Sequence, residues 1–200
     1  MSSRKRALLL VISAPSGAGK TTLCHRLLAE CGGMVRVVTC TTRAIRGSEV
    51  DGKDYHFLAE QEFAARLARN EFLEHATVHG RSYGTLRAEV EAALAVGNDV
   101  LLAIDVQGAS EVRRQAAEDR DGLLGRAYVD IFIVPPSMEV LEARLVGRNE
   151  DSTAEIQRRM VVARREMECA GEYMHKVVND DLDRALAELK AVIAAEHGRA

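Results

Sequence analysis

Ala14-Pro15-Ser16-Gly17-Ala18-Gly19-Lys20-Thr21 is the stretch that decides the fold. Immediately before it, Ala7 to Ile12 is a continuous apolar run, as expected of a central parallel strand covered on both faces. Immediately after it, Thr21 to Glu30 carries helical patterning. A strand, a glycine loop and a helix in that order are the context that the GxxxxGK[ST] pattern requires, although Ala14 stands in its first position. Gly17 and Gly19 permit a tight loop whose amides point inward, and the helix amino terminus adds a favourable dipole. Lys20 can then reach the β and γ phosphates of a nucleoside triphosphate, and Thr21 can hold Mg²⁺. The whole segment from Ala14 to Thr21 is therefore expected to bind ATP or a similar triphosphate.

Working outward, Val100 to Ile104 and Val129 to Val134 have the same buried-strand character, and each leads through a polar stretch into a helical pattern. The sequence predicts an α/β fold of the P-loop NTPase type, a parallel sheet flanked by helices. Val37 to Tyr83 is richer in Thr, Arg, Gly and Tyr and alternates in short segments, as expected of an inserted substrate-binding lobe. Val140 to Gly147 and Ala154 to Ala170 read as two helices around the charged stretch Arg148 to Thr153, together a mobile lid. Asp183 to Glu196 reads as a closing amphipathic helix. The expected division of a single domain is a core of about 1–36, 86–143 and 171–200, a lobe of about 37–85 and a lid of about 144–170.

Composition bounds the partners. With 200 residues and 47% hydrophobic content, one domain can bury a substantial core. Lys and Arg number 27 against 30 Asp and Glu, a net charge of -3, which gives no basic field for a nucleic acid polymer or an anionic membrane. Arginine clusters must then serve smaller anions. The four cysteines, Cys24, Cys31, Cys40 and Cys169, have no CxxC spacing and do not resemble a disulfide framework, so a cytoplasmic location is expected. Arg4-Lys5-Arg6 ahead of Ala7 imitates the start of a signal peptide, but the apolar run is short and enters the glycine loop directly. No apolar stretch approaches the roughly 20 residues that cross a bilayer.

A phosphate loop alone does not separate kinases from GTPases and ATPases. Asp105-Val106-Gln107-Gly108 formally matches the DxxG of GTPases, but no NKxD guanine motif follows. Arg43 and Arg46 stand three residues apart in a polar loop and can converge on one phosphate, each able to make paired hydrogen bonds.

Thr39-Cys40-Thr41-Thr42-Arg43-Ala44-Ile45-Arg46-Gly47-Ser48-Glu49-Val50-Asp51-Gly52-Lys53-Asp54-Tyr55-His56-Phe57 closely resembles the GMP-binding segment of guanylate kinases. Phe72 to Ala76, Tyr83 to Thr85, Ile104 to Ala109 and Val178 to Asp181 continue the resemblance in the family's order, over nearly the whole chain. The resemblance implies transfer of the γ-phosphoryl group of ATP to GMP, with dGMP as a further acceptor, in guanine nucleotide synthesis and GMP recycling. It places Thr39, Arg43, Arg46, Glu49, Tyr55, Glu74, Tyr83 and Thr85 at GMP. Glu74 suits the N1 and N2 donors of guanine, since an ionised carboxylate accepts from both. Lid arginines correspond to Arg144, Arg148 and Arg159, which join Lys20 and Arg43 in stabilising the transferring group. Asn179 falls with ATP, and Asp105 with Mg²⁺ through water.

Two positions depart from the family's usual pattern: Ala103 stands where an acid is common, and Asn149 where glycine usually follows the lid arginine. Two other readings remain: a binding module that grips a phosphorylated or acidic protein with the same lobe, and a related kinase with another small phosphorylated acceptor. Intact Lys20 and Thr21 argue against the first, and the complete lobe pattern against the second.

Overall fold

The structure, a computed structural model, describes residues 6–78, 80–147 and 152–199. In chain order the elements are β1 (Leu9–Ser13), α1 (Lys20–Glu30), β2 (Met34–Arg36), β3 (Cys40–Thr41), β4 (His56–Phe57), α2 (Glu60–Ala68), β5 (Phe72–Val78) and β6 (Arg81–Leu86). There follow α3 (Arg87–Ala95), β7 (Asp99–Ala103), α4 (Val106–Glu118), α5 (Leu123–Ala127), β8 (Tyr128–Val134), α6 (Met138–Val146) and α7 (Thr153–Glu168). A short 3₁₀ turn at Cys169–Glu172, β9 (His175–Val178) and α8 (Leu182–His197) complete the chain.

The apolar run that precedes the glycine loop is the centre of the molecule. β1 lies between β7 and β8 in a five-stranded sheet of order β2-β7-β1-β8-β9, with every neighbouring pair parallel. Its side chains alternate between the two faces: Leu10 and Ile12 pack with α1 and α8 residues, whereas Leu9 and Val11 pack with α3 and α4 residues. All four are fully buried, each contributing about 1.5–3 kcal/mol relative to exposure. Burial on both faces explains the unbroken hydrophobicity of the run.

Residues 40–86 contribute a second, four-stranded sheet of order β4-β3-β6-β5, inserted between β2 and β7 of the first. β5 and β6 are antiparallel, and their register slips between Phe72 and Glu74. At that irregularity Leu73 joins the core of the large sheet, while Phe72 stacks on Phe63 in the small apolar cluster under the second sheet. Glu74 is left paired with Thr85 on β6. The slip thus hands three successive side chains to three environments, which strict strand alternation would not do.

Sequence periodicity located β1, β7, β8, α1, α6, α7 and α8 to within a few residues. It did not identify β2, α3, α5 or the edge strand β9, whose His175-Lys176-Val177-Val178 is half polar.

Candidate functional site

The loop between β1 and α1 is stationed by its surroundings. Gly19 has φ +93°, a left-handed conformation that disfavours a side chain, and a Cβ there would collide with the Asn179 amide. That amide is buried and donates from Nδ2 to Ala18 O at 2.7 Å, while the Asn179 backbone N donates to Val134 O. Asn179 therefore lies beneath the loop and shapes it from behind. Arg144 Nη2 donates to Asn179 O at 2.9 Å, extending this support into α6. α1 begins without a side-chain cap, which leaves its first amides free of an internal acceptor from that source. By contrast Asp105 caps α4, its Oδ1 accepting from Gly108 N at 2.8 Å.

Two cavities open on either side of Lys20. The smaller, about 340 Å³, is walled by Ala14 to Gly17, Gly19 to Thr22, Asp105, Arg159 and Glu166. The larger, about 420 Å³, runs from Lys20 between α1, the end of β7 and the second sheet. Thr39, Tyr55, Glu74, Tyr83 and Thr85 all line it, and Ala103 is an exposed part of its wall. Lys20, Thr21 and Asp105 line both, so the cavities meet at these three residues. Lys20 Nζ donates to Ile104 O at 2.5 Å, and burial lowers its pKa. The Asp105, Glu166 and Glu74 carboxylates act on it in the opposite sense, and an anion entering either cavity would add to them.

Inside the larger cavity Glu74 is buried and accepts from Thr85 Oγ1 at 2.6 Å. Its second oxygen, Oε2, faces Gly108, where an added Cβ would lie only 2.9 Å away. Burial pushes the Glu74 carboxyl above its usual range, partly offset by the Thr85 hydroxyl. A buried acceptor of this kind favours a ligand that brings hydrogen-bond donors.

At the lobe's outer end Glu49 organises the arginine loop. Arg43 Nη1 and Nη2 donate to Glu49 at 2.9 and 2.8 Å, and Arg46 N donates to Glu49 Oε2 at 2.8 Å. The Arg43 side chain holds the Glu49 carboxyl down at about 2. The Arg43 guanidinium also lies 5.1 Å from the Tyr55 ring centre, and Tyr55 meets Tyr83 edge-on at 6.2 Å. Arg46 itself is exposed beside this group. Of the lid arginines, Arg159 reaches the loop cavity and Arg144 is engaged at Asn179; Arg148, like Asn149, lies outside the described residues.

Sequence reasoning did not single out Glu166, His25 or Arg36 as cavity residues. For Glu166 a signal existed: it stands seven residues after Arg159, about two turns along the same face of α7.

A triphosphate loop opening into a second, donor-seeking cavity defines a P-loop kinase that moves a phosphoryl group onto a small acceptor. The model of the family described as guanylate kinase matches residues 6–196. A guanylate kinase of Symbiobacterium thermophilum is 43% identical over 199 residues, covering 100% of this chain and 90% of that protein. A guanylate kinase of Rhodospirillum rubrum is 47% identical over 192 residues, covering 96% and 84%. A crystal structure of guanylate kinase from Anaplasma phagocytophilum superposes with a TM-score of 0.72 at 31% identity, covering 97% of this chain and 88% of that one. The chain belongs to the guanylate kinase family. It is a nucleoside monophosphate kinase that phosphorylates GMP with ATP.

Proposed function

We propose that the two cavities divide the substrates, with the ATP phosphates in the loop cavity and GMP in the larger one, and with transfer taking place at their junction. The observation that carries this reading is the shared wall of Lys20, Thr21 and Asp105. On this assignment Arg43 and Arg46, backed by Glu49 and flanked by Tyr55 and Tyr83, clamp the GMP phosphate. Glu74 accepts from N1 and N2 of guanine, and Thr39 and Thr85 bond the rest of the base edge. Ala14 to Thr21 cradle the ATP phosphates, and Asn179 acts from behind by fixing Ala18 and Gly19. dGMP is also an acceptor on this reading, because none of the assigned contacts requires the 2′-hydroxyl.

A phosphate oxygen of GMP attacks the γ-phosphorus of ATP in line, and ADP leaves with the bridging oxygen. The nucleophile is already anionic, so no strong general base is needed. Lys20, Arg144, Arg148 and Arg159 stabilise the charge spread over the transferring group, and closure excludes water that would otherwise hydrolyse ATP. Mg²⁺, bound with ATP, would supply charge neutralisation to the triphosphate. Thr21 would hold it directly and Asp105 through water; both present hard oxygen donors to the loop cavity, which suits this ion. Ala103 supplies no carboxylate to the acceptor cavity, so the metal and ribose depend on the remaining groups. All four cysteines are free, and no helix among the described residues is long and apolar enough to cross a membrane. A cytoplasmic enzyme of guanine nucleotide synthesis and GMP recycling fits these features.

ADP formation measured with ATP, Mg²⁺ and each of GMP, AMP, CMP and UMP tests this division. GMP alone should turn over efficiently; equal use of AMP would remove Glu74 from the role of base reader.

A further inference from the structure

The loop cavity is built for anions, yet one of its walls is an acid. Glu166 projects from α7 into the same cavity as Ser16, Lys20, Asp105 and Arg159. Its carboxylate approaches the Ser16 amide, and Lys20 and Asp105 are among the charges that act on it. Its Oε2 is buried and has no hydrogen-bond partner among the described residues. Arg159 and Glu166 thus present one cation and one anion to the phosphate loop from a single face of one helix. Two consequences follow from their fixed spacing on that helix. A carboxylate beside the loop opposes the arrival of a triphosphate through like charge. The same carboxylate, at the Ser16 amide, adds a polar tie to the packing of Met160 and Ala163 that seats α7, and so bears on where Arg159 lies.

We propose that Glu166 is a positioning residue, whose carboxylate opposes docking of ATP in the ground state and holds α7 in the rotation that brings Arg159 to the transferring phosphoryl group. It rests on the assignment of the loop cavity to ATP and of Arg159 to that group. Such a residue weakens substrate binding and raises turnover, a pairing that a merely structural contact does not produce.

The test measures ATP binding without GMP, by titration calorimetry, and kcat with GMP, for wild type, Glu166→Gln, Arg159→Ala and the double variant. Glu166→Gln should tighten ATP binding about threefold and lower kcat about tenfold, and in the Arg159→Ala background its effect on kcat should shrink to less than about twofold. Weaker or unchanged ATP binding in Glu166→Gln, or a kcat loss of equal size with and without Arg159, overturns the proposal. Arg159→Ala alone separates the two readings. If it leaves kcat intact, the assignment of Arg159 fails and the proposal fails with it; if it lowers kcat while Glu166→Gln changes nothing, only the positioning role is overturned.

Discussion

The two cavities that meet at Lys20 are built in different ways. The loop cavity takes most of its wall from one short span of chain, Ala14 to Gly17 and Gly19 to Thr22. The acceptor cavity takes Thr39, Tyr55, Glu74, Tyr83 and Thr85 from separate segments, held together by the cross-strand pairing of a small sheet. A phosphate is an anion that any correctly curved backbone can receive, whereas a base must be read by side chains at defined places. The loop should therefore be sensitive at its one cation, and the lobe should divide its losses among several residues.

The largest expected effect is at the junction. Lys20→Ala should lower kcat with GMP by about a thousandfold through loss of transition-state charge stabilisation. Its melting temperature should stay near that of wild type, because the Lys20 ammonium's hydrogen bond among the described residues goes to a backbone carbonyl, Ile104 O, and the ammonium adds nothing to the apolar core. Near-normal ADP formation would erase the contrast between the two cavities.

Within the lobe, on the proposed assignment, Arg43→Ala removes a charge-assisted contact to the acceptor phosphate. Its kcat/KM for GMP should fall about 10- to 150-fold, corresponding to about 1.5–3 kcal/mol, while ATP affinity measured by calorimetry changes little. Loss of ATP affinity with GMP use intact would move Arg43 to the other cavity.

The smallest effect is a matter of pH. Glu49 has its pKa lowered from 4.5 to about 2, chiefly by the Arg43 hydrogen bonds. A carboxyl depressed in the folded state contributes stability that is fully present above its unfolded value and is lost as pH falls through the folded one. Glu49→Gln should thus melt below wild type at pH 6, with the difference shrinking between pH 4.5 and pH 2. A difference independent of pH over that window would show that the pair is not what orders the arginine loop.

The same contrast explains what could be read from sequence. β1 and the glycine loop announce themselves because a strand buried on both faces is unbrokenly apolar and the following motif is contiguous. Arg43, Glu49 and Glu74 were legible through the resemblance and, for the arginines, through spacing. What the sequence left out depends on distant partners: Asn179 was named with ATP through the resemblance, but not its seat under Ala18; β9 pairs at a sheet edge despite a half-polar sequence; and Glu166 reaches the loop from α7, signalled only by its seven-residue spacing from Arg159. The register slip beside Glu74 has no local signature either, since Phe72-Leu73-Glu74 would be an ordinary strand start without β6 opposite it.

The central claim, that Glu74 reads guanine in a cavity separate from the ATP site, is tested most directly by titrating both nucleotides into Glu74→Gln. The amide keeps the volume of the side chain but turns one acceptor into a donor that opposes guanine N1 and N2. Binding of GMP should weaken by about five- to 150-fold, the equivalent of about 1 to 3 kcal/mol for an opposed buried polar group, while the Kd for ATP stays within about twofold of wild type. Unchanged GMP binding, or an equal loss for both nucleotides, would contradict the account.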